Sequence, residues 1–429
     1  MELPLIVLLV VFVCLVLVGV PIGFTLMLSS MAYILMSGTP VSIVMQKFAS
    51  GVNSFTLIAV PFFILAANFM NTSGITTRLF NWTKKLIGWI PGGLAHTNVL
   101  CSIIFAGMSG AAIADAGGLG KIELAAMRED GYDDEFSVAV TGASSTIGPI
   151  IPPSIPMVVY CIITSTSVAA MFAAGVVPGL LMGFAMMVLI YVISKKRNYK
   201  RHKFMGFLDL FKSTLFAIPA LITPIIILGG ILGGICTPTE AGAIAVIYSL
   251  GLGVLAFKNL KWLDIKAALV ETAYSTVSVM TIVVGATLFA WVLTIERVPN
   301  ALATFLMQYT HGSTFLFLLF TNVLFLILGC FLEPTAAMLI MMPMMMTVCN
   351  QMGISLVHYG IVVVLNLMIG LLTPPVGLVL SMMSDMIKKP MEVIFKEMLS
   401  FVLILVAVLL LITYIPEICL CIPRALGYL

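Results

Sequence analysis

The sequence predicts an all-α polytopic membrane protein built from two inverted-topology repeats, each with five spanning helices and one re-entrant helical hairpin. Of the 429 residues, 61% are hydrophobic and 9% are charged, whereas an ordinary soluble domain has about 45–50% apolar and about 25% charged residues. This composition excludes a water-soluble protein. Many apolar runs also reach the roughly 20 residues that a helix needs to cross a bilayer, and short motifs recur at one offset in the two halves.

The first repeat is predicted over residues 1–193. Scaffold helices occupy 1–71, with spans at 3–20, 21–37 and 55–71, followed by an arm at 72–92, a re-entrant hairpin at 94–126, a broken helix at 135–162 and a helix at 169–193. The arm is amphipathic because Lys84 and Lys85 alternate with Phe80 and Trp82, a pattern typical of a helix that lies in the interface. The first apolar run lacks a basic start, which favours a membrane helix over a cleaved signal.

The second repeat is predicted over residues 214–429, after a basic cytoplasmic linker at 194–213. Its scaffold helices occupy 214–293, with spans at 214–234, 239–256 and 273–293, followed by an arm at 294–312, a hairpin at 314–347, a broken helix at 355–386 and a helix at 398–416. The linker contains Lys195, Lys196 and Arg197 and is interpreted as a topology anchor.

The charges indicate how the chain is oriented. This layout gives ten crossings, and it places 18 of the 21 Lys and Arg residues on the cytoplasmic side, with only Lys47, Arg297 and Arg424 outside. Such a bias follows the positive-inside rule and predicts that both termini face the periplasm or the cell exterior. The net charge of +3 comes from short loops and not from a basic face, so no nucleic-acid binding is expected.

A repeated motif supports the division into two halves. Ile147-Gly148-Pro149-Ile150-Ile151-Pro152-Pro153 recurs as Ile369-Gly370-Leu371-Leu372-Thr373-Pro374-Pro375, so that Pro152 and Pro374 are 222 residues apart. The same offset relates Gly107 to Gly329, which stand between the limbs of the two hairpins. An odd number of crossings in each half would make the second copy upside down.

The prolines predict where helices break. Proline removes a helix hydrogen bond and clashes with the carbonyl four residues earlier, so Pro149, Pro152 and Pro153 should interrupt one helix, and Pro374 and Pro375 another. A simple kink is the alternative at any single proline. Paired prolines at equivalent positions favour unwound backbone, which is tolerated at membrane depth only where protein or a water-filled cavity satisfies it.

Four motifs together resemble the large membrane (DctM-like) subunit of tripartite ATP-independent periplasmic (TRAP) transporters. They are Gly148-Pro149-Ile150-Ile151-Pro152-Pro153-Ser154, Thr237-Pro238-Thr239-Glu240-Ala241, Ser109-Gly110-Ala111-Ala112-Ile113-Ala114-Asp115 and Gly370-Leu371-Leu372-Thr373-Pro374-Pro375. The resemblance implies an elevator-type ion-transporter fold in the bacterial inner membrane. It implies sodium-driven uptake of an organic acid anion of the sialic acid or C4-dicarboxylate class, without ATP.

The resemblance also implies two protein partners: a small four-helix membrane subunit and a periplasmic substrate-binding protein. Some relatives fuse the small subunit to the large one. Because this chain begins directly with the large-subunit region, we expect the small subunit to be a separate chain.

Sodium is a hard cation that collects carbonyl, hydroxyl and carboxylate oxygens. The predicted first sodium site consists of Ser109, Asp115, Ser144, Ser145 and Gly148, and the second of Gly329, Glu333, Thr335, Asn366, Gly370 and Thr373. A carboxylate at membrane depth costs about 2.5–3.5 kcal/mol, which favours a functional role for Asp115 and Glu333. The structural alternative is that these carboxylates cap a half-helix or reach the aqueous rim.

The organic anion is expected between the two ion sites, where half-helix amino termini offer unpaired N–H groups. Ser154 and Arg128 are possible substrate contacts, although Arg128 is better interpreted as a charge at the cytoplasmic rim. Two sodium ions with a monoanion carry one net charge inward, which gains about 2.3 kcal/mol per 100 mV. We therefore expect at least two sodium ions in each cycle and no other metal.

Other functions remain open to different degrees. ATP drive is disfavoured because the only near-match to a phosphate loop, at Gly120-Lys121, lacks the required neighbours. An intramembrane enzyme is disfavoured because the four histidines stand alone in the sequence. A channel is possible because hairpins also form selectivity filters, and a sodium–anion symporter without a binding protein would share the same broken helices.

Overall fold

The computed structural model of the protein describes residues 3–203 and 206–429. Within these ranges all regular secondary structure is helical, since helices satisfy backbone hydrogen bonds internally where lipid offers none. Seven of the described helices are long and apolar enough to cross a membrane. The prediction of an all-α polytopic membrane protein is confirmed.

The first half contains ten α-helices within residues 3–203. They are α1 (Leu3–Leu17), α2 (Ile22–Ser37), α3 (Ser42–Val52), α4 (Ala59–Thr72), α5 (Ile75–Ile87), α6 (Gly93–Ser109), α7 (Ala112–Glu129), α8 (Asp134–Ser145), α9 (Ile155–Thr164) and α10 (Val168–Arg197). A 3₁₀ turn, Phe55–Ile58, leads directly into α4. Serine side chains begin α9 and α10, where Ser154 accepts from the Met157 N–H and Ser167 from the Ala170 N–H.

The second half contains ten more within residues 206–429. They are α11 (Phe207–Leu232), α12 (Pro238–Gly251), α13 (Trp262–Ile295), α14 (Val298–Tyr309), α15 (Thr314–Phe331), α16 (Pro334–Gln351), α17 (Leu356–Gly370), α18 (Leu378–Ile387), α19 (Met391–Tyr414) and α20 (Glu417–Ala425). A capping box formed by Thr237 and Glu240 begins α12, and a π-helical turn, Leu252–Ala256, follows that helix.

The helices of the two halves follow one another in the same order. The second hairpin limbs α7 and α16 begin at Ala112 and Pro334, 222 residues apart, and α8 and α17 begin at Asp134 and Leu356, at the same offset. Each interruption contains a cis diproline, at Pro152–Pro153 and Pro374–Pro375. The opposite orientation of the two halves stays a prediction.

Several bounds differ from the sequence-based expectation. The helix α13 begins at Trp262, 11 residues before the predicted start at 273, because hydropathy cannot detect a helix that continues into polar residues. The segments α3 and α20 were not predicted, since both are shorter than a span. The helix α10 extends through Arg197 and α11 begins at Phe207, so helical structure enters both ends of the predicted linker at 194–213. Phe204 and Met205 of that linker lie outside the described residues.

The helices pack into two groups. The scaffold group consists of α1–α4 and α11–α13, in which α13 packs on α2, α3 and α4, and α12 packs on α4. The hairpin group consists of α6–α10 and α15–α20, in which α19 packs on α8, α10 and α17. The amphipathic helix α5 contacts both groups, at α6 and α11, whereas α14 packs on α16 and α13. A cavity lies where the two groups face each other.

Candidate functional site

The cavity has a volume of about 860 Å³ and lies between α4 and α13 of the scaffold group and the hairpin tips. The first hairpin contributes Ser109 and the second contributes Glu333 and Thr335. Pro149 of the first helix break and Leu371 of the second complete the wall. The structure therefore brings both hairpins and both breaks to one shared space.

The first break runs from the end of α8 at Ser145 to the start of α9 at Ile155. The Ser154 hydroxyl donates to the Pro149 carbonyl oxygen at 2.5 Å, which satisfies a carbonyl that Pro153 leaves without its helical partner. The Ile155 N–H donates to the Gly110 carbonyl oxygen at 3.3 Å. The break is thereby attached to the tip of the first hairpin.

Asp115 lies in the first turn of α7, beside this break, and its side chain is 2% exposed. Its Oδ1 atom accepts a hydrogen bond from the Ser109 hydroxyl, whereas its Oδ2 atom is buried without a hydrogen-bond partner among the described residues. A side chain at Gly148 would collide with Oδ2. The absence of a Cβ at position 148 thus lets the carboxylate lie against the unwound backbone.

Ser144 and Ser145 of the predicted first site donate their hydroxyl hydrogen bonds to groups other than Asp115. The Ser145 hydroxyl donates to the Gly142 carbonyl of its own helix at 2.8 Å, which leaves only its carbonyl near Gly148. The Ser144 hydroxyl donates to Asn98 Oδ1 at 2.7 Å and accepts from Ser102 at 3.0 Å. Here the structure differs from the expectation, because the Ser144 side chain joins α8 to α6 instead of facing Asp115.

The second break runs from the end of α17 at Gly370 to the start of α18 at Leu378. The Leu371 carbonyl, which Pro375 deprives of its helical donor, accepts from the N–H groups of Val379 and Leu380 at 3.2 Å each. The Thr373 hydroxyl donates to the Gly370 carbonyl at 2.9 Å and lies 2.9 Å from Cys330 Sγ. The backbones of Gly329 and Gly370 touch, since an added Cβ on either would meet the other within 3.0 Å.

Glu333 takes a different position from Asp115. It is the N-cap of α16, where Oε2 accepts from the Ala336 N–H at 3.0 Å and Oε1 accepts from the Thr335 hydroxyl at 2.8 Å. The structural alternative of a helix-capping carboxylate therefore holds for Glu333, although the residue also lines the cavity. No hydrogen bond within the described ranges joins Glu333 or Thr335 to the other residues of the predicted second site.

Asn366 belongs to a network that matches the Ser144 network of the first half. Its amide donates to Asn322 Oδ1 at 2.8 Å, and Asn322 donates to Thr413 at 3.1 Å. Asn366 is 222 residues from Ser144, and both link the first part of a broken helix to the first limb of a hairpin. Asn366 Oδ1 is buried without a hydrogen-bond partner among the described residues, and its place in an ion site with Glu333 stays a prediction.

The two candidate substrate contacts lie outside the open cavity. Ser154 is fully buried and both of its hydrogen bonds serve the break and the α9 cap. Arg128 is 60% exposed in its side chain and pairs with Asp134 at 2.8 Å, which agrees with a charge at the rim. Neither position supports direct contact with a substrate in this conformation.

The structure adds polar residues that the sequence did not single out. The scaffold wall carries Asn68 and Asn71 on α4, and Glu271, Ser275 and Ser278 on α13. On α13 these residues follow the spacing of one helix face. That periodicity is readable in the sequence, but the predicted span at 273–293 begins after Glu271 and so excludes the first residue of this polar face.

A hard cation fits the first break better than the second. Asp115 Oδ2 is a buried carboxyl oxygen without a hydrogen-bond donor among the described residues. The Ser109 hydroxyl and the Ser145 carbonyl lie nearby, and together these oxygens form a set of ligands suited to sodium. In the second half, both Glu333 oxygens already accept hydrogen bonds. A cation at that position would share these oxygens with the helix cap, since each carboxylate oxygen keeps a second lone pair.

Comparisons with known proteins agree with this architecture. A family model described as the DctM component of the tripartite ATP-independent periplasmic transporter matches residues 9–418. The chain is 41% identical over 412 residues to the sialic acid TRAP transporter large permease protein SiaM of Vibrio cholerae, covering 96% of each. It is 38% identical over 373 residues to the C4-dicarboxylate TRAP transporter large permease protein DctM of Pseudomonas aeruginosa, covering 87% of each.

One solved structure shows a similar fold. The Alcanivorax borkumensis YdaH transporter, whose structure is described as having an unusual topology, superposes with a TM-score of 0.65 and covers 86% of each chain. The sequence identity is 12%, so this likeness concerns the arrangement of helices alone.

Proposed function

The chain belongs to the DctM-component family of tripartite ATP-independent periplasmic transporters, and we propose that it moves an organic acid anion into the cell with the energy of an inward sodium gradient. Its relatives are transporter permeases and not enzymes. Membership of a TRAP large-permease family implies uptake of an organic acid by a multi-pass membrane protein. The proposed substrate class is sialic acid or a C4-dicarboxylate, because relatives are named for both.

The observation that carries the proposal is the buried, unpaired Oδ2 of Asp115 beside the first helix break. An ionised carboxylate in a low-dielectric interior requires a compensating positive charge. A sodium ion held by Asp115, Ser109 and the Ser145 carbonyl would supply it. At least two sodium ions per cycle are proposed, the second near Glu333.

We further propose that the hairpin group moves as a unit against the scaffold group, in an elevator motion. The cavity lies between the two groups, so such a movement would alter its access. The exposed residues Glu271 and Tyr274, which line the cavity, lie in the first half of α13. Lys261 and Lys266 lie at the start of the same helix, so this part of the cavity is near the basic end of α13. If these lysines are cytoplasmic, as the positive-inside rule requires, the conformation is inward-facing and both termini are periplasmic.

The partners in this proposal are a small membrane subunit and a periplasmic binding protein in the bacterial inner membrane. Reconstitution of all three components in proteoliposomes tests it. We expect uptake of labelled sialic acid or succinate that requires a sodium gradient and stops when potassium replaces sodium. Sodium-independent uptake would contradict the coupling, whereas uptake without the binding protein would indicate an autonomous symporter. Steady currents far above carrier turnover would indicate a channel.

A further inference from the structure

The cavity contains one basic side chain among its lining residues, and that residue has no assigned role. It is Lys121, on α7 of the first hairpin. We propose that Lys121 binds a carboxylate of the organic acid anion on the cytoplasmic side of the cavity and so acts as the anion-recognising residue during release. This inference rests on the proposed function, because it concerns the route that the same substrate takes.

Lys121 lies on α7 between Asp115 in the first turn and Arg128 in the last turn. It follows Asp115 by six residues, which corresponds to about 9 Å along the helix axis at 1.5 Å per residue. The cavity continues past Glu271, Tyr274 and Ser275 into a groove that Lys266 also lines. Lys121 lines the cavity itself, Lys266 lines the adjoining groove, and the Glu271 carboxylate lines both.

The charge of Lys121 is free to bind a ligand. No carboxylate of the described residues lies within 4.0 Å of its amine, whereas Arg128, Arg197 and Lys389 of the hairpin group are each paired with a carboxylate. Lys121 is exposed, so its flexible stem can follow a ligand. A cation that lines the cavity and lacks an internal partner provides what an organic anion needs.

Neutral hydrogen-bonding groups lie opposite this charge. Asn71 of α4 contacts α7 at Gly118, where an added Cβ would be 3.0 Å from Nδ2 and 3.1 Å from Oδ1 of Asn71. Gly118 and Lys121 are three residues apart and share one face of α7. Asn71 and Lys121 therefore border the same part of the cavity, and Ser275 lines it from α13. An amide, a hydroxyl and an amine together suit a carboxylate with neighbouring hydroxyl or carbonyl groups.

The test is counterflow in proteoliposomes that hold the assembled membrane subunits. Binding protein and labelled substrate, sialic acid or succinate, are supplied outside, so only molecules with their periplasmic face outward are observed. The vesicle lumen then contacts the cytoplasmic face, and graded unlabelled substrate inside gives the lumenal concentration for half-maximal exchange. The variants are Lys121→Gln, Lys121→Arg and the matched control Arg128→Gln, which changes an exposed cation on the same helix outside the cavity.

We expect Lys121→Gln to raise the half-saturating lumenal concentration by about tenfold, equal to about 1.4 kcal/mol, without changing the half-saturating concentration of binding protein outside. Lys121→Arg and Arg128→Gln should stay near the wild type. An unchanged lumenal value for Lys121→Gln, or an equal defect in Lys121→Arg, overturns the role of this charge while uptake itself stands. If the wild type exchanges neither substrate, the proposed function fails and the inference fails with it. Co-elution with the small subunit verifies that each variant is assembled.

Discussion

Asp115 and Glu333 show that two carboxylates on equivalent hairpins can have different chemistry. Asp115 is the fourth residue of α7, the second limb of the first hairpin, whereas Glu333 immediately precedes α16, the second limb of the second hairpin. At the repeat offset of 222, Asp115 corresponds to Ala337 and Glu333 corresponds to Ala111. The Asp115 carboxylate keeps an unpaired oxygen, and the Glu333 carboxylate satisfies a helix start. The repeat thus predicts where the hairpins lie but not which residue in each binds a cation.

We predict that Asp115→Asn reduces the stabilisation of the protein by sodium, because only the proposed second ion near Glu333 would remain. A ligand that binds only the folded state stabilises it by about 2.7 kcal/mol at 100 times its Kd, so sodium in place of potassium should raise the melting temperature of the wild type. Tryptophan fluorescence during heating measures this shift. The control is Glu129→Gln, which removes an exposed carboxylate at the end of the same helix. An equal reduction of the sodium effect in both variants would contradict a specific site at Asp115.

Gly148 provides a second test of the same contact. Gly148→Ala places a methyl group against Asp115 Oδ2, so we expect at least a tenfold rise in the sodium concentration for half-maximal uptake, which corresponds to about 1.4 kcal/mol. Gly251→Ala is the control, because an added Cβ there meets nothing within 4 Å. Unchanged sodium dependence in Gly148→Ala would place the ion elsewhere.

The helix breaks were predictable because proline has a direct effect on backbone hydrogen bonds. Pro153 and Pro375 leave the carbonyls of Pro149 and Leu371 without helical donors, and the structure shows the replacements: the Ser154 hydroxyl in the first break and two backbone N–H groups in the second. These replacements were not predictable. They depend on how the backbone turns after each proline. The unpaired carbonyl therefore receives a side-chain donor in the first break and backbone donors in the second.

Side-chain direction was the other limit of the sequence. Ser144 and Asn366 are polar residues next to helix breaks, and hydropathy cannot show that their side chains join buried networks between helices. The polar face of α13 was missed because the same helix is strongly apolar overall. Helix order, hairpins and breaks followed from local chemistry, whereas the membership of the site depended on packing between distant segments.

The Ser154 hydroxyl should contribute more than an ordinary N-cap. It accepts from the Met157 N–H and also donates to the Pro149 carbonyl, whereas Ser167 only caps α10 by accepting from the Ala170 N–H. Replacing an N-cap serine by alanine costs about 1 kcal/mol, and leaving a buried carbonyl unpaired adds about 1–3 kcal/mol. We therefore expect Ser154→Ala to lower the melting temperature more than the matched control Ser167→Ala. Equal shifts in the two variants would contradict a role for Ser154 in the break.

Ion pairs connect the ends of α8, α10 and α19 in the hairpin group. Arg197 at the end of α10 bonds Asp133 at 3.2 Å and Glu397 of α19 at 2.7 Å, and His202 lies 3.1 Å from Asp130. Lys389 bonds Glu135, and this hydrogen bond raises the pKa of the Lys389 amine above its ordinary value. Exposed pairs contribute about 0–1 kcal/mol each, so their main effect is to fix the position of α8, α10 and α19 relative to one another. This arrangement suits a group that moves as one body.

If the hairpin group moves against the scaffold group during transport, a covalent cross-link between the two groups should stop transport. Asn71 of the scaffold group and Gly118 of the hairpin group are suited to a disulfide. An added Cβ at 118 lies 3.2 Å from Asn71 Cγ, which is one bond beyond Asn71 Cβ, so two cysteines there would be near the Cβ separation of about 3.5–4.5 Å that disulfides need. In a background with the exposed Cys14 and Cys421 changed to serine, we expect oxidation of Asn71→Cys/Gly118→Cys to abolish the uptake that the same variant shows in its reduced form, and renewed reduction to restore that level.

The matched control for that cross-link is the pair Ser73 and Gly253, in which Ser73 lies two residues after Asn71. An added Cβ at Gly253 would be 3.1 Å from Ser73 Cβ, so the two segments must separate by a few tenths of an ångström to reach disulfide geometry. Both residues belong to the scaffold, at the end of α4 and in the π-helical turn after α12. Oxidation of Ser73→Cys/Gly253→Cys should therefore form a disulfide without stopping uptake, because it joins segments that keep their relative positions. Mass spectrometry of the oxidised protein verifies each bond. Full activity of a completely cross-linked Asn71→Cys/Gly118→Cys protein would show that α4 and α7 do not separate during transport, and the elevator proposal would have to be abandoned.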